Sequence, residues 1–260
     1  MPKFAANLSM MFNEVDFLDR FKAAADVGFK GVEFLFPYAW PAADLKQRLA
    51  NNGLAQALFN LPPGDWDGGE RGIASLPGRQ SEFEDGVGAA IEYAVALGCP
   101  QVHAMAGLMA DDGDAGLHLE TYVGNLKFAA AACAKAGVRL LIEPINTVDM
   151  PGYFMNRPGQ ALVVIDAVGS DNLFLQYDIY HAQIMEGRLA ASIAANIDVI
   201  RHFQLAAVPG RNEPDGGEIN YPFIFAHIDA LGYDGWIGCE YKPRGDTVAG
   251  LGWGGDYGIG

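Results

Sequence analysis

The sequence predicts one domain, residues 1–260, with the α/β fold of a (β/α)8 TIM barrel. Three observations predict this fold. The chain has 260 residues, a usual length for such a barrel; short apolar runs typical of strands alternate with helical segments along the whole chain; and eight such runs are present. Eight consecutive strand-plus-helix units close into a barrel of parallel strands. A hydrophobic content of 50% is enough to fill its core.

The predicted strands are, in chain order, KFAAN, GVEFL, AQALFN, PQVHAM, VRLLIE, LFLQYD, RHFQLA and WIGCE. Segments with helical periodicity lie between them. The periodicity is clearest in EVDFLDRFKAAADVGF, where Phe17, Phe21 and Ala24 or Ala25 fall on one face, and in LETYVGNLKFAAAACAKAG. Each connecting helix therefore has an apolar side that can cover the barrel.

Glycines and irregular loops mark the boundaries of the units. Gly28, Gly53, Gly98 and Gly137 follow predicted helices, where we expect left-handed caps. The loops NLPPGDWDGGERGIASLPGR and AAVPGRNEPDGGEINY follow the third and seventh strands, and we expect them to form a lid or a substrate wall. The final segment LGWGGDYGIG is too short and too rich in glycine for a regular eighth helix.

The charge of the chain excludes several classes of partner. Seventeen Lys and Arg against 32 Asp and Glu give a formal net charge of −15, which argues against nucleic acid or an anionic membrane surface and favours a small molecule. The start MPKFAANLSMMF lacks the features of a signal peptide, and no apolar run approaches the roughly 18 residues of a membrane span. We therefore expect a cytoplasmic protein. Cys99, Cys133 and Cys239 are widely spaced and odd in number, so we expect reduced, packed thiols.

Four residues that can bind a hard metal ion stand at the ends of the last four predicted strands: Glu143, Asp178, Gln204 and Glu240. They are 35, 26 and 36 residues apart, about one strand-plus-helix unit each, so the barrel would bring them to one rim. A single acid at a strand end is often a cap or part of an ion pair, but four on adjacent strands favour a metal site. Three carboxylates and one amide suit Mg²⁺ or Mn²⁺ better than zinc.

Such a site has a definite chemistry. A metal ion can polarise a carbonyl and its neighbouring hydroxyl together, while two ligand carboxylates on opposite sides of the substrate serve as base and acid. The enediolate that results carries negative charge on adjacent oxygens, which a divalent cation stabilises. The set therefore indicates isomerisation or epimerisation of a hydroxy-carbonyl compound.

The segments ANLSMMF, GFKGVEFLFPY, NLPPGDW, GERGIA, LIEPIN, QYDIYH, HFQLA, GEINY and GCEYKP together resemble the hydroxypyruvate isomerase family of xylose-isomerase-like barrels. The resemblance covers nearly the whole chain. It implies a metal ion at Glu143, Asp178, Gln204 and Glu240, with Glu143 and Glu240 as the proton-transfer pair. Related ketose 3-epimerases have a histidine in place of Gln204, so we expect a lower metal affinity here.

Four further residues are candidates for binding the substrate. His181, three residues after Asp178, resembles the Asp-x-x-His element by which related epimerases hold a substrate oxygen; the alternative is a capping or packed histidine. Arg211 follows the seventh strand, near where those epimerases place a substrate-binding arginine; the alternative is a solvated loop cation. Arg71 and Lys242 are candidates for clamping a substrate carboxylate, although either could instead form an ion pair with a protein acid.

Other polar residues on the same rim are less specific. Glu33, at the end of the second strand, is a candidate partner for one of these cations, and Asp149 lies where an epimerase-like substrate-binding carboxylate would be. His202 shares a strand face with Gln204, but a hydrogen-bonded residue of the barrel interior is favoured over a ligand. The remaining histidines are expected to be structural or on the surface: His103, His118 and His227.

The leading hypothesis is a metal-dependent isomerase of the aldose–ketose type acting on a small oxo-acid. The resemblance implies either hydroxypyruvate to tartronate semialdehyde or 2-oxo-tetronate to 3-oxo-tetronate. The alternative is a ketose 3-epimerase of a neutral sugar, which is favoured if no cationic group faces the pocket. An abasic-site endonuclease on this barrel would need many histidines and a basic surface, and the chain has five histidines and a net charge of −15. A non-catalytic binding protein would have lost a metal or proton-transfer position. A homo-oligomer is compatible with the fold, but no segment identifies an interface.

Overall fold

Eight parallel strands form the centre of the structure, a computed structural model that describes residues 1–260. Each predicted run overlaps one strand, so the predicted fold is confirmed. The strands are β1 Lys3–Asn7, β2 Gly31–Glu33, β3 Ala55–Leu58, β4 Gln101–His103, β5 Arg139–Ile142, β6 Leu173–Asp178, β7 Ile200–Leu205 and β8 Trp236–Cys239.

The strands follow the order β3-β2-β1-β8-β7-β6-β5-β4 around the barrel. A parallel bridge between Asn60 and His103 joins the two ends of this order. The amide of Leu61 donates to His103 O at 2.8 Å, and the amide of His103 donates to Phe59 O at 3.0 Å. The ring is therefore closed between β3 and β4 by a short contact just beyond the end of β3.

Helices cover the outside of the barrel: α1 Phe17–Asp26, α2 Ala42–Asn52, α3 Gln80–Leu97, α4 Ala115–Lys135, α5 Pro158–Val168, α6 Ile179–Met185, α7 Leu189–Asn196 and α8 Tyr221–Ala230. In α1 the predicted apolar face is buried at Phe21 and Ala24, and Phe17 packs against the core. The last unit ends in a 3₁₀ segment, Ala249–Tyr257, as the glycine-rich sequence predicts. None of the helices is long and apolar enough to cross a membrane.

The four predicted glycine caps adopt left-handed conformations. Gly53 and Gly98 cap α2 and α3 with φ of 63° and 65°, while Gly28 and Gly137 lie one residue beyond the caps of α1 and α4 with φ of 98° and 71°. Gly28 is constrained twice, because a Cβ there would also lie 2.3 Å from the carbonyl oxygen of Gly258. Glycine at this position therefore lets the end of α1 meet the carboxyl terminus of the chain.

Side chains alternate across the strands, and the barrel interior is polar. On β6, Gln176 and Asp178 lie on one face while Leu175 and Tyr177 lie on the other. The outward face packs against the helices as an apolar core, and it includes Cys239, as predicted. All three cysteines are buried and unpaired. The interior instead carries amides, carboxylates and imidazoles, which reach the rim formed by the carboxyl ends of the strands.

Candidate active site

The four predicted ligands meet at the carboxyl-terminal rim of the barrel. Glu143 follows β5, Asp178 ends β6, Gln204 lies near the end of β7 and Glu240 follows β8. The parallel register pairs Asp178 with Gln204, and Gln204 with Gly238 on β8. Carboxylate oxygens of the three acids and a ring nitrogen of His181 lie within 4.8 Å of one another, and all four residues are buried. The structure thus brings together side chains that are up to about a hundred positions apart.

Two oxygen atoms of this cluster have no hydrogen-bond donor. Glu143 Oε1 and Asp178 Oδ2 are buried and unpartnered. A buried carboxylate oxygen without a donor destabilises a fold by about 1–3 kcal/mol or more, so such atoms indicate a missing partner. Oxygen ligands are those that Mg²⁺ and Mn²⁺ prefer. The residues present therefore fit a divalent cation.

Two hydrogen bonds fix the orientation of the Gln204 side-chain amide. Its Nε2 donates to Glu33 Oε1 at 2.8 Å, and its Oε1 accepts from Gln176 Nε2 at 2.6 Å. Gln176 Nε2 also contacts Glu143 Oε2 at 2.9 Å. Gln176 was not predicted as a site residue, although its position two residues before Asp178 on the same strand face is a signal that identifies it.

The three acids hold protons more strongly than free carboxylates. Burial raises the pKa of Glu143 well above its ordinary value, and the neighbouring carboxylates of Glu240 and Asp178 raise it further. Burial also raises the pKa of Asp178 to about 6 and that of Glu240 to about 8, although Arg211 opposes both rises. Without a bound cation, part of the cluster is therefore protonated near neutral pH.

His181 presents an N–H group to the acids. The amide oxygen of Asn146 accepts from the backbone amides of Val148 at 3.0 Å and Asp149 at 2.8 Å, so its Nδ2 is the group that faces His181 Nδ1 at 2.6 Å. An amide N–H donates, so Nδ1 accepts and the ring proton is on Nε2. Nε2 lies 3.5 Å from Asp178 Oδ2. Burial lowers the pKa of His181 well below its ordinary value, so the ring is neutral and its one N–H group, on Nε2, faces Asp178.

Arg211 is bound by the acids of the site. Its Nη2 donates to Glu240 Oε2 at 2.8 Å, and its Nη1 lies 3.4 Å from Asp149 Oδ2. The guanidinium also lies 5.0 Å from the centre of the Tyr180 ring. Burial alone would lower the pKa of Arg211, but the carboxylates of Glu240 and Asp178 outweigh burial and raise it. Much of the charge of Arg211 is therefore neutralised by the protein itself.

Arg71 is held in a different way. Its guanidinium stacks 4.2 Å from the centre of the Trp66 ring, and its Nη1 donates to the backbone oxygens of Trp66 at 3.0 Å and Glu70 at 2.7 Å. The carboxylate of Glu70 is paired with Arg79 instead. Arg71 forms no ion pair, so its remaining N–H groups are available to a ligand.

A cavity of about 130 Å³ joins these groups. Glu143, Glu240, His181, Arg211 and Arg71 all line it. Trp66 and Arg71 come from the loop after β3, and Arg211 comes from the loop after β7, so both loops predicted to form a wall contribute to it. The volume fits a compound of a few carbon atoms.

Three residues lie elsewhere than the sequence indicated. Lys242 is exposed and does not line the cavity, because β8 ends at Cys239 and the chain has turned outward by this position. Glu33 does not pair with Arg71, Lys242 or Arg211; it is 1% exposed, and its partners lie inside the barrel. The expectation of a structural or surface role for His103 is incomplete, since it is fully buried and lines the cavity.

The other histidines lie as expected. His202 is a residue of the barrel interior that donates to Glu33 Oε2 at 2.6 Å and contacts Gln101 Nε2 at 3.3 Å. His118 and His227 lie on helices outside the barrel. His103 Nδ1 lies 3.6 Å from Glu143 Oε2. The position of His103 at the end of β4, on the same rim as the proposed ligands, is the sequence signal that would have identified it.

Comparisons with known proteins bear on this site. The family model for the xylose isomerase-like TIM barrel matches residues 21–256. The chain is 57% identical to a 2-oxo-tetronate isomerase of Cupriavidus necator, over 97% of both chains. It is 51% identical to a hydroxypyruvate isomerase of Escherichia coli, over 97% of this chain and 98% of the other. A crystal structure of a Brucella melitensis protein, described as an AP endonuclease of family 2, is 49% identical, with a TM-score of 0.97 over 99% of both chains.

Proposed function

The chain belongs to the xylose isomerase-like TIM-barrel family, within its hydroxypyruvate and 2-oxo-tetronate isomerases, and on this premise we propose that it isomerises a small oxo-acid with a bound divalent cation. The substrate is hydroxypyruvate, giving tartronate semialdehyde, or a 2-oxo-tetronate, giving the 3-oxo isomer. The observation that carries the proposal is the buried cluster of Glu143, Asp178 and Glu240, with two carboxylate oxygens that lack partners.

Four side chains would hold the cation: Glu143, Asp178, Gln204 and Glu240. Mg²⁺ or Mn²⁺ suits these oxygen donors. A bound divalent cation would supply positive charge beside the two oxygens on which the enediolate carries its negative charge. Hydrogen bonds with Arg211 and Glu33 hold the side chains of Glu240 and Gln204 in place, which favours cation binding by their oxygens.

Glu143 and Glu240 are the proposed proton-transfer pair. One carboxylate removes the proton from the carbon that bears the hydroxyl, and the other carboxyl group gives a proton to the former carbonyl carbon. The hydroxyl proton moves between the two oxygens, so one carbon is oxidised and its neighbour reduced without an external oxidant. Both carboxyl groups line the cavity, which supports this pairing.

The cationic groups favour an oxo-acid over a neutral sugar. We propose that Arg71, which has no carboxylate partner in the protein, binds the substrate carboxylate. Arg211, held by its contact with Glu240, contributes to the same substrate binding. The Nε2–H group of His181 would donate a hydrogen bond to a substrate oxygen that becomes negatively charged in the enediolate. Lys242 has no part in this arrangement because it lies outside the cavity.

A small-molecule partner fits the charge of the protein. A net charge of −15 makes a nucleic-acid backbone or an anionic membrane an unfavourable partner. The likeness to a chain described as an AP endonuclease does not change this, because the proposed site has no cluster of histidines for several zinc ions.

Proton NMR in D₂O tests the function directly. The Mg²⁺-loaded protein is incubated with hydroxypyruvate in one tube and with a 2-oxo-tetronate in another, and EDTA-treated protein serves as the control. We expect conversion with deuterium incorporation in one or both tubes and its loss with EDTA. Conversion in only one tube identifies the substrate. No exchange in either tube, together with exchange at carbon 3 of a neutral ketose, would replace the proposal with a ketose 3-epimerase.

A further inference from the structure

Glu33 is a buried carboxylate that the proposed reaction does not use. It ends β2, is 1% exposed and lies in the barrel interior, where it contacts the proposed ligand Gln204. No lysine or arginine pairs with it. Its partners are instead an imidazole and two amides, and one of these amides is the side chain of Gln204.

Both oxygens of Glu33 are occupied by donors. Oε1 accepts from Asn7 Nδ2 at 3.0 Å and from Gln204 Nε2 at 2.8 Å, and Oε2 lies 2.6 Å from His202 Nε2. The orientation of the Asn7 amide is independently fixed, because its Oδ1 accepts from the backbone amide of Ser9 at 3.0 Å. An ionised carboxylate only accepts hydrogen bonds, so Glu33 requires an N–H from each neighbour.

This requirement determines what Gln204 offers to the site. If its amide were rotated by half a turn, the Gln204 oxygen would face Glu33 Oε1, and two acceptors would meet without a proton between them. The observed orientation leaves Oε1 of Gln204 facing Gln176, whose Nε2 also donates to Glu143 Oε2. An amide binds Mg²⁺ or Mn²⁺ through oxygen. The same amide with its nitrogen turned towards the acids would be no ligand.

Gly238 gives independent support for the position of the Glu33 carboxylate. A Cβ at Gly238 would lie 2.2 Å from Glu33 Oε2. The φ of Gly238 is not positive, so its backbone does not require glycine. The missing side chain on β8, two residues before Glu240, leaves the space that the carboxylate fills.

We infer that Glu33 is a positioning residue that orients the Gln204 amide and thereby completes the cation site. The inference rests on the proposed cation site. Residues that hydrogen-bond to metal ligands typically change metal affinity about 10- to 100-fold when they are removed.

The test measures Mn²⁺ binding to the cation-free protein from the EPR signal of the free ion, with no need for turnover. We expect Glu33→Ala to weaken Mn²⁺ binding at least about tenfold. Glu33→Gln should weaken it less, because its side-chain oxygen can still accept from Gln204. Asn172→Ala is the matched control, since it removes two amide hydrogen bonds at the opposite end of the barrel, to Ala130 O and Val138 O.

A double-mutant cycle with Gln204→Ala distinguishes positioning from general damage to the fold. If Glu33 acts through Gln204, Glu33→Ala should have little further effect on Mn²⁺ affinity once Gln204 is absent. A full effect of Glu33→Ala in the Gln204→Ala background, or an equal loss in Asn172→Ala, would overturn the inference. Wild-type protein that binds no Mn²⁺ overturns the cation site itself, and this outcome is recognised before any variant is compared.

Discussion

At the scale of single residues, hydrogen-bond partners rather than residue type decide the role of each polar side chain. Two arginines line the cavity, but Arg211 is paired with Glu240 and Asp149, whereas Arg71 pairs with no acid. The N–H group of His181 faces Asp178 because the amide of Asn146 donates a hydrogen bond to the other ring nitrogen. The proposed substrate-binding role of Arg71 and the proposed acid–base role of Glu240 are each tested by one substitution.

Glu240→Gln should lower kcat about 10²- to 10⁴-fold, because an amide cannot transfer the proton that a carboxyl group can. The hydrogen bond from Arg211 can be kept by the amide oxygen, so the fold should persist. Steady-state kinetics with the oxo-acid measures the loss, and circular dichroism with thermal melting controls for folding. A variant that keeps most of its kcat would remove Glu240 from proton transfer.

Arg71→Ala should raise KM for the oxo-acid about tenfold or more with a smaller change in kcat, because a charge-assisted hydrogen bond to the substrate carboxylate is lost. Arg71→Lys should recover only part of the affinity, since lysine lacks the planar fork of the guanidinium. The matched control is Arg48→Ala, which removes an exposed arginine paired with Asp19 on the surface. Equal KM values for wild type and Arg71→Ala would mean that Arg71 is structural.

At the scale of elements, the ends of strands and helices determine where the site lies. The four proposed ligands are rim residues because each stands at or near the end of its strand. Glycines at the ends of α1 to α4 let the chain turn back into the barrel. Glycine positions differ in how well they tolerate a larger residue. Positive φ and a close contact coincide at Gly28, whereas Gly88 in the middle of α3 has neither.

This difference predicts opposite effects of one substitution. Gly28→Ala should destabilise the fold by more than about 1 kcal/mol, because its φ of 98° is strained for alanine and the new Cβ would lie 2.3 Å from Gly258 O. Gly88→Ala should stabilise the fold by about 0.5–1 kcal/mol, since nothing lies within 4 Å and alanine favours a helix interior. Urea unfolding of both variants measures the two signs. The same sign for both would show that backbone conformation does not control these positions.

At the scale of the whole molecule, the buried acids link stability to pH and, through the proposed site, to cation binding. Burial raises the pKa of Asp178 to about 6 and that of Glu240 to about 8 in the folded state, above their ordinary values. Protons therefore favour the folded state of the cation-free protein. The stabilisation of the fold by these bound protons is fully present below the unfolded pKa values, near 4. It is lost as pH rises through about 6 and then about 8.

The increase in Tm on adding Mg²⁺ should therefore be larger at pH 8 than at pH 6. At the lower pH, protons compete with the cation for the same carboxylates. Thermal melting with EDTA or excess Mg²⁺ at both pH values measures the difference, and Glu240→Gln should reduce its pH dependence because it removes the group whose pKa lies near 8. An equal increase in Tm at both pH values would show that the raised pKa values do not affect cation binding.

The sequence alone determined the eight strands, their order along the chain and the rim positions of Glu143, Asp178, Gln204 and Glu240. These follow from local patterns. Apolar runs with a period of two predict strands, and a parallel barrel places the carboxyl end of every strand on the same rim. The glycine caps were predictable for the same reason, because left-handed backbone favours one residue type at a fixed place after a helix.

Only the tertiary structure decided the partners of the polar side chains. Glu33 binds His202, 169 residues away along the chain, rather than Arg71 or Lys242, and His103 lines the cavity. Hydrogen bonds act over about 3 Å and depend on direction, so no spacing in the sequence specifies which of several rim residues will meet. The proton on His181 Nε2, the free charge of Arg71 and the orientation of the Gln204 amide are all consequences of contacts that exist only in the closed barrel.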